Sequence, residues 1–149
     1  MPIPADSFLM WFTSFLYLSS AILLIDKMKL EKLSLLFPIS LYFFGISAFF
    51  GFMGIFAATN LLSIALAATL SVMFGSSFMA RLPLRMLIPK YEEIIFSALL
   101  LVSVISSAIV YTTGNPYAIE RAAHIYGFIV AGIFSTGYLF YLEIGRAHV

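Results

Sequence analysis

Between Phe37 and Ala80 the chain contains no Asp, Glu, Lys, Arg or His, and the only polar break in that stretch is Thr59-Asn60. Two long apolar runs separated by so short a connection must lie antiparallel. In hydrocarbon every backbone N–H and C=O needs an internal partner, so the runs are expected to be helices. Small residues recur at helical spacing on each, as Ser47, Gly51, Gly54 and Ala58 on the first and Ser63, Ala67, Ser71 and Gly75 on the second. Such spacing lets helix backbones approach closely. The stretch reads as a transmembrane helical hairpin.

The rest of the chain continues the pattern. With 62% hydrophobic and 10% charged residues and a mean hydropathy of +1.07, it carries too few charges to cover a water-facing exterior, for which about 25% is usual. A lipid-facing exterior removes that requirement. A net charge of +1 gives no reason to expect nucleic acid as a partner, and the absence of cysteine removes disulfides, thiolate nucleophiles and zinc knuckles.

Five spans are expected, at about residues 7–25, 33–58, 61–80, 94–111 and 119–142, because about 20 helical residues cross a roughly 30 Å core. Trp11 suits an interface anchor. A cleaved signal peptide would be the competing reading of the first run, but no basic segment precedes it and Asp26-Lys27-Met28-Lys29 follows it. Ser34 is a candidate N-cap for the second span and Asn60 for the third. Arg81 and Pro83 are expected to end the third span, leaving residues 81–90 at the membrane surface. Glu92 and Glu93 fall in the first turn of the fourth, where carboxylates favour the positive end of the helix dipole. Thr112-Thr113-Gly114-Asn115-Pro116 has turn chemistry. On the fifth span Ala123, Gly127, Ala131 and Ser135 form another stripe of small side chains.

Orientation follows from the basic residues. Lys27, Lys29, Lys32, Arg81, Arg85 and Lys90 belong to loops on one side, and only Arg121 to the other. The expected fold is therefore all-α, a polytopic integral membrane helical bundle of five transmembrane helices, with the N-terminus outside and the C-terminal end inside. Residues 1–142 form one transmembrane domain, expected in the cytoplasmic membrane of a prokaryote. Its expected partners are the lipid bilayer and either other transmembrane helices or further copies of itself.

The heptad Glu143-Ile144-Gly145-Arg146-Ala147-His148-Val149 resembles the translation of a short-read sequencing adapter, AGATCGGAAGAGCACACGTC, read after one preceding base and ending where the adapter's next triplet is a stop. On that reading residues 143–149 are a non-native tail and residues 1–142 an N-terminal fragment; the alternative is an ordinary tail after the last helix.

Candidate chemistry is sparse. His124 lies about a turn and a half into the fifth span, near the outer surface in this topology, with Glu120 four residues earlier on the same face and Arg121 beside it. Glu120, Arg121 and His124 are the candidate binding residues, as an external pH-sensing or ligand-binding group; the plainer alternative is an interfacial histidine beside a carboxylate. One His and one Glu are too few for a metal site. No cofactor is expected: residues 1–142 hold no second histidine for a bis-histidine haem, and there is no His-Glu-x-x-His helix or glycine-rich phosphate loop. No catalytic motif marks an enzyme.

The small-residue stripes either pack helices or line a cavity, and packing is the commoner use. The hydroxyls of the fourth span, Ser97, Ser103, Ser106 and Ser107, either line a polar path or bond back to their own helix. In hydropathy and orientation the five spans resemble the multi-span sensor regions of histidine kinases, a likeness of architecture carried by no motif. It implies the membrane module of a sensor or signalling protein. A small-molecule transporter or channel subunit and a structural membrane subunit are the alternatives.

Overall fold

A computed structural model describes residues 5–34 and 36–147, with the side chains at 116, 119, 120 and 147 outside the description. Five helices dominate: α1 (Ala5–Glu31), α2 (Leu36–Thr59), α3 (Leu62–Leu87), α4 (Glu92–Tyr111) and α5 (Pro116–Ala147), with a short 3-10 turn at Pro89–Tyr91. All five are long and apolar enough to cross a membrane, and the described residues hold no strand. The expected all-α polytopic bundle is the observed one.

The helices start and stop for local reasons. Lys32 and Asn60 both adopt left-handed backbone, at φ 54 and 55, and each follows the last residue of a helix. Asn60 was expected to cap α3. Instead its N–H donates to the Phe56 carbonyl at 2.7 Å and it closes α2, because asparagine tolerates the left-handed region that ends a helix. Leu61 then stands at the α3 N-cap with no side-chain cap bond. Ser34 accepts on its backbone carbonyl the N–H of Phe37 at 3.2 Å. At the other connection Gly114 takes φ 66, and Asn115 Oδ1 accepts the Tyr117 N–H at 3.0 Å. Asn115 thus caps α5 with Pro116 at the first helical position, where a missing N–H costs nothing.

The third helix is longer than its expected span. It runs through Arg81 and Pro83 to Leu87. A proline inside a helix leaves the carbonyl four residues back, here Met79, without a donor. Tertiary packing offsets that loss: Pro83 is buried against α5, where a Cβ on Gly137 would collide with its ring.

α3 is the hub. It packs against α2, α4 and α5, whereas α1 packs only against α2. Met73, Ala80 and Leu84 of α3 form the core with Tyr126 and Val130 of α5. α2 crosses α3 where Gly45 meets Gly75, since a Cβ on Gly45 would fall 2.6 Å from the Ser71 carbonyl oxygen.

The small residues of α2 have another partner. Ser47, Gly51 and Gly54 face α1, not α3: Ser14 Oγ donates to the Ser47 carbonyl at 2.7 Å, Ser47 Oγ to the Ser14 carbonyl at 2.9 Å, and Gly54 lies under the Trp11 ring. Ser7, Ser14 and Ala21 on α1 and Ser40, Ser47 and Gly54 on α2 each recur every seven residues, and five of the six are buried. This is a small-residue seam with the period of left-handed packing. Trp11 also donates its indole N–H to the Gly51 carbonyl at 3.3 Å, so it anchors α1 to α2.

Candidate functional site

α2 and α5 both lie against α3, and their backbones do not approach each other. Three helices so placed leave a groove, with α3 as its floor. Its volume is about 350 Å³, and its wall includes Tyr42 and Phe49 of α2, Ser76 and Met79 of α3, and His124, Phe128 and Phe134 of α5. Among the described residues no Asp, Glu, Lys or Arg lines it. The volume lies at the lower end of the range for small-molecule sites, which are mostly apolar with a few polar groups.

The stripe Ala123, Gly127, Ala131 and Ser135 turns out to be part of this wall. A Cβ on Gly127 would meet nothing within 4 Å, so here small side chains make space instead of close packing. The stripes thus divide: on α2 and at Gly75 they pack helices, and on α5 they open the groove.

The helix registers bring three polar residues to one level. Tyr126 and Ser77 hydroxyls hydrogen-bond across α5 and α3; His124 lies two residues before the first, and Ser76 one before the second. On the opposite wall the Tyr42 carbonyl oxygen is 3.2 Å from a Cβ on Gly75. Ser76 is about 21 Å along the helix from Leu62 and about 16 Å from Leu87 at 1.5 Å per residue. His124 is therefore level with the middle of α3, deeper than its place early in the fifth span suggested. The cause is a stagger: the same register sets the start of α5 about 7 Å below that of α3.

Hydrogen bonding separates the groove from the sealed interfaces. Thr69 and Ser77 donate to carbonyls four residues back, Ser103 bonds to the Leu100 carbonyl, Ser107 to Met73 Sδ, and Tyr126 donates to the Leu99 carbonyl at 3.1 Å. The hydroxyls of α4 that face α3 are thus satisfied and form no open path. Ser76 is only 5% exposed, yet among the described residues neither it, Tyr42 nor His124 has a side-chain hydrogen-bond partner. Ser7 and Ser40 also lack partners, but they are enclosed in the α1/α2 seam.

Of the three residues expected to bind, His124 lines the groove. Arg121 is exposed on α5 and is not part of the wall, and the Glu120 side chain lies outside the described residues. Tyr42, Ser76 and the phenylalanines were not singled out, because what joins them is the placement of α2 and α5 on one side of α3. Among the described residues no three His, Asp or Glu side chains come together to hold a metal.

A second polar cluster joins α3 to α4. Glu92, 7% exposed, accepts from Arg81 Nε at 2.7 Å and from Arg85 Nε and Nη2 at 3.1 and 3.2 Å. Arg81 also reaches Glu93 and places its guanidinium 4.5 Å from the centre of the Phe96 ring. With carboxylates at the start of α4 and arginines near the end of α3, each charge meets the favourable end of its helix dipole. The cluster clamps the turn at Pro89–Tyr91.

Length, composition and fold together define a multi-span integral membrane protein with five membrane-crossing helices. No protein-family model, curated protein or solved structure matches the chain.

Proposed function

We propose that the chain is the membrane module of a sensor or signalling protein, and that the groove between α2, α3 and α5 is where it takes its ligand from the lipid phase. The observation that supports this is the level of Tyr42, Ser76 and His124: three polar side chains on three helices, facing a groove with no partner for their hydrogen bonds among the described residues. Ser76 is buried, and buried polar groups are nearly always paired, whereas Tyr42 is half-buried and His124 exposed. A ligand supplies the partners and bridges helices whose backbones do not approach each other. Its arrival shifts α5 relative to α2, and with the N-terminus outside in a prokaryotic cytoplasmic membrane, the inner end of α5 carries the signal to a cytoplasmic output domain.

The test is a distance. Spin labels at Lys32→Cys and Tyr141→Cys, near the inner ends of α1 and α5, are measured by double electron–electron resonance in nanodiscs, with the groove open and with it filled by Gly127→Leu. The sensor reading expects two different distance distributions. Identical distributions, or solute flux through the purified protein in liposomes, would count against it and favour a structural subunit or a transporter respectively.

A further inference from the structure

We infer that the α3/α4 turn holds an anionic phospholipid, with its phosphate at Arg85 and Lys90 and one acyl chain in a second groove, between the last turns of α3 and α5. This site is separate from the α2/α3/α5 groove and does not depend on it.

The charges left over at the turn select the head group. Glu92 accepts from Arg81 and Arg85, and Glu93 accepts from Arg81. Two arginines and two carboxylates cancel. Lys90 is exposed and forms no ion pair among the described residues; its ammonium stands 5.7 Å from the centre of the Tyr91 ring. The Arg85 side chain is 59% exposed, and its bonds to Glu92 engage Nε and Nη2. A guanidinium has five N–H donors, so Arg85 keeps others unused on a side chain already held in place. The groups left over are therefore cationic donors, which suit phosphate oxygens. One net positive charge at the turn matches a singly charged anionic head. Beyond Phe140, α5 adds Glu143 and Arg146, exposed and of opposite sign, which leaves that balance unchanged.

The neighbours of those donors point to a lipid instead of a dissolved anion. Met86, Leu87, Ile88 and Tyr91 are all exposed, interleaved in sequence with Arg85 and Lys90. At the boundary of head groups and acyl chains, apolar side chains and cations are both placed favourably. Leu87 and Ile88 also begin a groove of about 480 Å³, whose other wall includes Gly132, Thr136 and Phe140 of α5. Among the described residues no Asp, Glu, Lys or Arg lines it. From Phe140 to Gly132 it runs away from the turn for about 12 Å at 1.5 Å per residue. One leaflet of a roughly 30 Å hydrocarbon core is only slightly deeper, so the groove has the length of an acyl chain and the cations stand at its mouth.

Native mass spectrometry of the purified chain, from micelles doped with equal amounts of phosphatidylglycerol and phosphatidylcholine of identical acyl chains, tests this. Phosphatidylglycerol is expected to be retained about fivefold over phosphatidylcholine, the effect of one basic side chain near an anionic head. Lys90→Gln is expected to remove the preference, Gly132→Leu to reduce retention of both lipids, and Lys29→Gln, at the end of α1, to change neither. A Cβ on Gly132 would meet nothing within 4 Å, so the leucine fills the groove without displacing a helix, and circular dichroism checks that each variant is folded. Equal retention of the two lipids by the wild type would overturn the anionic class. A preference unchanged in Lys90→Gln would overturn the head site, and retention unchanged in Gly132→Leu would overturn the acyl-chain groove. Displacement by inorganic phosphate beyond that by chloride at equal ionic strength would overturn the lipid in favour of a free anion.

Discussion

Gly45 and Gly75 meet backbone to backbone: a Cβ built on Gly45 would lie 2.8 Å from the Gly75 Cα and 2.6 Å from the Ser71 carbonyl oxygen. Both neighbours are main chain and cannot rotate away. Gly45→Ala is expected to push α2 off α3 and to destabilise the fold by about 1–3 kcal/mol, the usual cost of overpacking. Gly127→Ala, with nothing within 4 Å, is expected to be neutral. Unfolding of both variants in mixed micelles checks the contrast.

The Ser77–Tyr126 pair joins α3 to α5, but each hydroxyl has one proton and a carbonyl within reach, Met73 for Ser77 and Leu99 for Tyr126, so the proton shared across the pair is taken from one of those carbonyl bonds. The coupling is therefore expected to be modest, about 0.6 kcal/mol as for other interhelical bonds in membranes. A double-mutant cycle of Ser77→Ala and Tyr126→Phe measures it, and a coupling above about 2 kcal/mol would contradict this account.

At the α3/α4 turn the two carboxylates are unequal. Glu92 is buried between two arginines, whereas the Glu93 side chain is 73% exposed. Glu92→Ala leaves Arg81 and Arg85 without their shared acceptor and is expected to cost about 3 kcal/mol. Glu93→Ala is expected to unfold close to wild type. Equal thermal shifts in the two variants would show that the turn is held by something else.

The chain has no cysteine, so single cysteines report on topology without background. Asn60→Cys and Asn115→Cys are expected to react with an impermeant maleimide in intact cells, and Lys29→Cys and Lys90→Cys only after permeabilisation. The reverse pattern would invert the proposed orientation.

The helices were legible because their signals are one-dimensional: a charge-free stretch, the turn chemistry at Thr112–Pro116, the carboxylates at Glu92 and Glu93. Helix partners were not. Ser47, Gly51 and Gly54 announce a close approach, but the seam that receives them is made by Ser7, Ser14 and Ala21, whose seven-residue period is diluted by large apolar neighbours. The end of α3 was misjudged at Pro83 because a proline's local cost says nothing of a glycine more than fifty residues away that accommodates its ring. His124 could be picked out as the one histidine before the tail heptad. Its level beside Ser76 and Tyr42 depends on the stagger of α5, which no local pattern encodes.

The hub position of α3 also bears on how the chain is made. α3 is synthesised third, when α2 is present to receive Gly75 but the helices that cover Thr69, Met73 and Ser77 have not yet emerged. Thr69, Ser71 and Ser77 bond to carbonyls of their own helix, so those hydroxyls are satisfied before any later helix arrives. α3 can therefore wait in the bilayer as a self-sufficient insertion intermediate. Ser76 has no such internal bond among the described residues, and it reaches the finished protein still open to a partner from outside the chain.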